Sequence, residues 1–275
     1  MILDFKVVKK MKKGKVRDFL NAVQEEGVQA VLESDYVPEI VTSLADVVTT
    51  ESTSLLLGSI IGAAAPRVNS VRMNYLQKRF ENRIETALKI MQEKITVMEN
   101  NYDLLSEELQ EKFRGLYVEW FLDNLYSERQ PSKVTCHVNG YINMMSNETN
   151  DDIMIMFFDT LNQLTQLDID VLKLYGTDAN ENAWNLIERY GIDSDQLQII
   201  KEKLVRFGLV YSKRDDLRDE NIDAVVKYLF AVEAESKKKS PKSIKMKNIT
   251  KPKSSESYSI TRLGRDFLLK ITDLN

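Results

Sequence analysis

The chain has 275 residues, 43% of them apolar, which is enough to bury a core in one or two domains and excludes a disordered chain. One cysteine, Cys136, and one histidine, His137, exclude an internal disulfide framework and a zinc cluster of the Cys/His type. The net charge of −4 is unevenly spread: residues 1–18 carry +5, the eight lysines between 237 and 253 add +8, and the rest of the chain carries −17.

Residues 1–50 read as a basic N-terminal segment with short helices. Met1-Ile-Leu-Asp-Phe-Lys6 lacks the apolar run of a secretory signal, so a reducing, cytoplasmic setting is expected. Leu55 to Ala65 is an apolar, small-residue stretch with Gly58 and Gly62 four apart, and Pro66 is expected to interrupt it. It is far short of the roughly 20 residues a membrane-spanning helix needs. A buried helix of the core is the expectation, with reversible contact to a membrane surface as the alternative.

Residues 51–160 read as a helical domain. From Leu76 the apolar residues recur at Phe80, Ile84, Ala87, Leu88, Met91, Ile95 and Met98, the three-and-four spacing of one helix face. Asn100-Asn101 breaks the pattern, and Leu105, Leu109, Phe113, Leu116, Trp120 and Leu125 set out a second helix that ends before Pro131. An antiparallel helix pair is expected, with further helical pieces around Val134–Met145 and Ile153–Leu164. The long helix from Asn69 to Glu99 is a candidate surface for a homodimer. The ten methionines on such faces are adaptable core filling, with a Met-rich partner groove as the alternative.

Residues 161–275 read as a winged-helix domain with a small β-wing, so the expected fold class is mainly α. Its first helix is placed at Leu167–Tyr175, the second at Glu181–Tyr190 and the third at Ser194–Phe207, with Asp193 as N-cap of the third. A strand after Gly208, a wing and a second strand entering a last helix at Thr261 complete the order. The wing is enlarged by an insert, residues 213–256, that includes an expected helix at Asn221–Ala234. Beyond it, Lys237 to Lys253 has too few apolar residues to fold alone.

In DNA-reading winged helices the third helix enters the groove. That makes Gln196, Lys201, Lys203 and Arg206 the outward candidates here, beside Asp195 and Glu202. Lys237, Lys238, Lys239, Lys242, Lys245 and Lys247 are the candidate phosphate contacts of the wing, unless they simply keep a loop solvated. An acidic protein or lipid surface is a further partner for the same lysines.

Signals of chemistry are sparse. Adjacent side chains such as Cys136 and His137 diverge on a helix or a strand, so they do not make a nucleophile and base pair. The glycines form no phosphate-binding loop, and Asp151, Asp152, Asp159, Asp168 and Asp170 show no two-metal spacing. No enzyme activity, cofactor or metal is expected.

Four features follow one another in an order with a known counterpart: the Gly/Ala segment, the paired helices, Leu161-Asn-Gln-Leu-Thr-Gln-Leu-Asp168-Ile-Asp-Val-Leu172, and Gly208-Leu-Val210 with Ile260-Thr-Arg-Leu-Gly264-Arg-Asp-Phe-Leu268. Over residues 50 to 271 this layout resembles the bacterial abortive-infection alpha family of phage-defence proteins. The resemblance implies a non-enzymatic bacterial or prophage-borne factor that works by binding a protein partner. The alternative is a winged-helix transcriptional regulator that binds nucleic acid through its third helix and its lysines.

Overall fold

The computed structural model describes residues 50–70, 74–176, 182–238, 242–246, 249–251 and 257–272. The basic segment 1–49, with its expected short helices, lies outside the described residues. The described chain is mainly helical with one two-stranded sheet, and it divides into two units, Met1–Gln166 with Leu269–Asn275, and Leu167–Leu268.

The first unit is built around α1 (Glu51–Ser70). Leu56, Leu57, Ile60, Ile61 and Ala64 are buried, and Gly58 and Gly62 are buried with them. The helix start is fixed by carboxylates from another helix: Thr50 N donates to Glu99 Oε1 at 3.2 Å, and the Ser52 hydroxyl donates to Asp103. Negative charge there favours the positive end of the helix dipole. The apolar stretch is therefore spent on the core, and no helix among the described residues is long and apolar enough to cross a membrane. The sequence predicts an interruption at Pro66, but α1 continues to Ser70. The missing Pro66 N–H removes only one bond of the helical ladder.

Around α1 pack α2 (Asn74–Glu93), α3 (Ile95–Asp103), α4 (Glu107–Arg114) and α5 (Leu116–Ser127). The sequence predicts one helix up to a break at Asn100-Asn101 and a second from Leu105; instead α3 runs through Asn100-Asn101 to Asp103, and each expected helix is divided elsewhere. Lys94 leaves helical geometry between α2 and α3, and Gly115, with φ −108 and ψ −97, separates α4 from α5. Periodicity survives such breaks because the stripe continues on both sides. Phe80, Ile84, Ala87, Leu88, Met91 and Met98 are all buried. The long-helix face considered for a homodimer is thus engaged inside the unit.

A short 3-10 turn, Pro131–Lys133, leads into α6 (Val134–Asn143), and α7 (Asp151–Gln163) follows with Asn150 as its N-cap. Tyr141 donates to the Phe113 carbonyl at 2.6 Å inside a cluster of Phe113, Tyr117, Phe121 and Tyr141 rings. Gly140 lets α6 approach α7, since a Cβ there would lie 2.4 Å from the Phe157 ring. The end of the chain belongs to this unit through its carbonyls: Asn139 Nδ2 donates to Ile271 O at 3.0 Å and Asn143 Nδ2 to Lys270 O at 2.9 Å. These amides satisfy helix-terminal acceptors that have no partner within their own helix.

The second unit holds α8 (Gln166–Lys173) from its second residue on, α9 (Ala183–Tyr190), α10 (Ser194–Arg206), β1 (Val210–Ser212), α11 (Lys213–Ser236), β2 (Tyr258–Ile260) and most of α12 (Arg262–Ile271). Its local signals act as the sequence indicates. Asp193 and Gln196 close a capping box at the start of α10, and Gly191 (φ 61) and Gly208 (φ 68) take the left-handed conformation after α9 and α10. The expected start of the second helix at Glu181 lies outside the described residues. β1 and β2 pair antiparallel, Val210 with Ile260 and Ser212 with Tyr258. Leu186, Leu197, Leu204, Leu209, Val210 and Phe267 supply the core.

Thr261 explains why the chain turns into α12 where it does. Its hydroxyl accepts from Gly264 N at 2.9 Å and donates to Gly208 O at 2.6 Å, while its own N–H donates to Leu209 O at 3.0 Å. Position 264 must be glycine, because a Cβ there would sit 2.0 Å from the Leu209 carbonyl oxygen.

Candidate functional site

A perturbed carboxylate and the histidine meet at the junction of α5 and α6. Glu128 ends α5, and its Oε2 accepts from Lys133 Nζ at 2.7 Å and from His137 Nε2 at 3.0 Å. Its Oε1 accepts the backbone N–H groups of Arg129 at 2.7 Å and Gln130 at 2.8 Å. Burial raises the Glu128 carboxyl, but the hydrogen bonds from His137 and Lys133 outweigh it and lower the pKa to about 2. Burial pushes the His137 imidazole down, so the ring is neutral with its proton on Nε2. Nearby, Arg83 donates to the carbonyls of Leu125 at 2.7 Å and Tyr126 at 2.8 Å, placing a cation on the negative end of α5.

Spacing does not announce this cluster, because Glu128 caps α5, Lys133 ends the 3-10 turn and His137 lies on α6. The sequence draws attention only to His137 beside Cys136. His137 is fully buried, Lys133 is 2% exposed, and Nδ1 of His137 has no hydrogen-bond partner among the described residues. The cluster's chemistry is to hold two helices at one angle, and an ion pair with four donors on its carboxylate does that well.

The outward residues proposed for the third helix are mostly engaged inside the second unit. Gln196 Oε1 accepts from Asp193 N at 3.0 Å, closing the capping box. Lys203 Nζ lies 2.6 Å from the buried Asp168 carboxylate, and Lys201 Nζ stands 5.7 Å over the Tyr258 ring. Arg206 is exposed. The exposed edge of α10 runs Asp195, Ile199, Glu202, Arg206, two acids and one base around an isoleucine that is 60% exposed. At the end of α11, Lys237 pairs with Glu233 at 2.6 Å and Lys238 with Glu235 at 2.5 Å, while the Lys242 backbone N–H donates to Glu235 at 2.9 Å. Lys245 is exposed; Lys239 and Lys247 lie outside the described residues.

Chain comparisons assign no family. The chain matches no family model, no curated protein and no solved structure. Among the described residues, α11 carries several exposed large apolar side chains. It runs the whole length from Lys213 to Ser236 with no buried residue. Ile222, Val226, Leu229 and Phe230 share one face and are 52%, 41%, 59% and 66% exposed. Ala224, Val225, Tyr228 and Ala231, on another side of the helix, are half-buried, and Val232 is 40% exposed. The returning chain touches the helix at Asn221, whose amide exchanges hydrogen bonds with the Thr250 backbone at 2.8 and 3.2 Å. A helix apolar on all sides is ordinarily a buried one. The sequence shows the helix but not its exposure, because only the fold decides whether a neighbour covers it.

Proposed function

We propose that the chain is a non-enzymatic protein that acts by binding another protein, and that its C-terminal unit is of winged-helix type with α11 as the inserted contact element. One observation carries this reading: α11 has an apolar midsection and no buried residue. Ile222, Leu229 and Phe230 are 52%, 59% and 66% exposed, so leaving them in water forgoes about 1–2 kcal/mol for each side chain that a partner would cover. The succession α8, α9, α10, β1, β2, with the Asp193 cap and the Thr261–Gly264 turn, supports the winged-helix reading. The burial of Glu128, Lys133 and His137 supports a structural role for that cluster over a catalytic one. The sequence resemblance to abortive-infection proteins favours phage defence in a bacterial cytoplasm as the setting.

Nucleic-acid binding is the second reading, favoured by the eight lysines between 237 and 253. The edge of α10 offers Arg206 against Asp195 and Glu202, poor complementarity to phosphate, so any contact is with the backbone and blind to sequence. Fluorescence anisotropy of labelled duplex DNA at several salt concentrations separates the readings, with Lys237, Lys238, Lys239, Lys242, Lys245 and Lys247 changed to Ala in a parallel variant. The expected result is weak binding at low salt, equal for unrelated sequences and lost in the variant. Tight binding to one sequence that depends on Arg206 would replace the protein-binding reading with the regulator.

A further inference from the structure

We propose that the partner of α11 is the α11 of a second copy of this chain, packed antiparallel about a two-fold axis at Val226. This rests on the reading of α11 as a protein-contact element and adds the identity of the occupant. Three observations lead to it.

The first is the symmetry of the exposed face. Ile222 precedes Val226 by four residues and Phe230 follows it by four, so a two-fold at Val226 sets Ile222 against the partner's Phe230 and Val226 against itself. Self-complementarity of this kind is what an isologous interface requires.

The second is charge. Lys213–Asp223 holds five carboxylates against three cations, whereas residues 224–238 hold three lysines, two of them at the C-terminal end, against two glutamates. An antiparallel pair lays each acidic end beside the other copy's basic end. On the apolar face itself, Asp215 and Lys237 lie eleven residues to either side of Val226 and come opposite one another. One like-charge pairing remains, Asp219 against the partner's Glu233. Within the chain Arg218 stands 3.8 Å from Asp219 and 3.3 Å from Asp215, and Lys237, 2.6 Å from Glu233, is shared between that glutamate and the partner's Asp215. A parallel pair would set every charge against its own copy.

The third is access. Thr250 holds α11 at Asn221, and the Ile222, Val226, Leu229 and Phe230 side chains are exposed. A helix of 24 residues is about 36 Å long, enough for a continuous seam.

The test uses the full chain, sedimentation equilibrium across a wide concentration range, and single cysteines joined by a short bis-maleimide. Wild type, whose only cysteine is the buried Cys136, is the background. Expected are a dimer at equilibrium and a dissociation constant raised about 100-fold or more by Phe230→Glu, since symmetry makes each substitution count twice. Val226→Cys should link to itself, whereas Ile222→Cys and Phe230→Cys should link only when the two variants are mixed.

Self-linking of all three single-cysteine variants would mean a parallel pair and overturn the antiparallel arrangement. A monomer at every concentration, with Phe230→Cys reacting rapidly with a maleimide, would overturn the second copy and leave α11 open for a different protein. A monomer in which Phe230→Cys is shielded would overturn both this proposal and the protein-binding reading, because the chain would then cover the face itself.

Discussion

Gly264→Ala should destabilise the C-terminal unit by about 3 kcal/mol, although alanine at an ordinary helix position would stabilise it by about 1 kcal/mol. The added Cβ would lie 2.0 Å from Leu209 O, far inside van der Waals contact, and the obstacle is backbone that no rotamer change can move. That oxygen accepts from Thr261 N at 3.0 Å, so moving it also costs the hydrogen bond that joins the end of β1 to the start of α12. Overpacking that shifts backbone costs up to about 3 kcal/mol, and the lost hydrogen bond about 1 kcal/mol more. Subtracting the propensity gain leaves about 3 kcal/mol, roughly a 100-fold rise in local opening. Hydrogen exchange of peptides covering residues 204–212 and 258–268 reads that opening directly. Unchanged or increased protection in Gly264→Ala would refute the reasoning, and with it the explanation of the Thr261–Gly264 turn.

Three further outcomes follow from the geometry. Glu128→Gln removes the counter-charge of Lys133, which is 2% exposed, and should lower stability by about 3–5 kcal/mol in urea unfolding; a loss under about 1 kcal/mol would mean that water reaches the pair. Stability should fall on acidification in two stages. His137 has a folded-state pKa below its ordinary 6.5, so the unfolded chain binds the proton first and stability begins to fall as pH drops through 6.5. Glu128 is lowered from 4.5 to about 2, so its contribution is present above 4.5 and is lost as pH falls toward 2. The urea midpoint against pH reads both, and His137→Gln should flatten the part nearest neutrality. Asp193→Ala opens the capping box on α10 and should cost about 1 kcal/mol, seen as faster exchange in the first turn of that helix.

Most of the helices were legible because their signals are local. The stripe from Phe80 to Met98 and the Asp193 cap need only neighbours along the chain. The breaks at Lys94 and Gly115 were not, since helix continuity depends on how the two halves pack on α1. Nor was the passage of α1 through Pro66. The buried cluster at Glu128 joins residues of ordinary type across a turn, and their meeting is a property of the α5–α6 angle. The outward lysines of the third helix illustrate the opposite difficulty. Lys201 and Lys203 look solvent-facing by periodicity, but Tyr258 and Asp168 come from other elements and engage them. The apolar character of α11 was readable, while its exposure was not, because periodicity assigns a face and never says whether anything covers it.

The central claim, that α11 is a protein-contact element, is tested most directly by photo-crosslinking in cells. A photoreactive phenylalanine analogue replaces Phe230 in one strain and Arg206 in another. The account predicts discrete, nuclease-resistant protein adducts from position 230 and none of comparable yield from position 206. Adducts only at 206, or adducts that nuclease digestion removes, would contradict it.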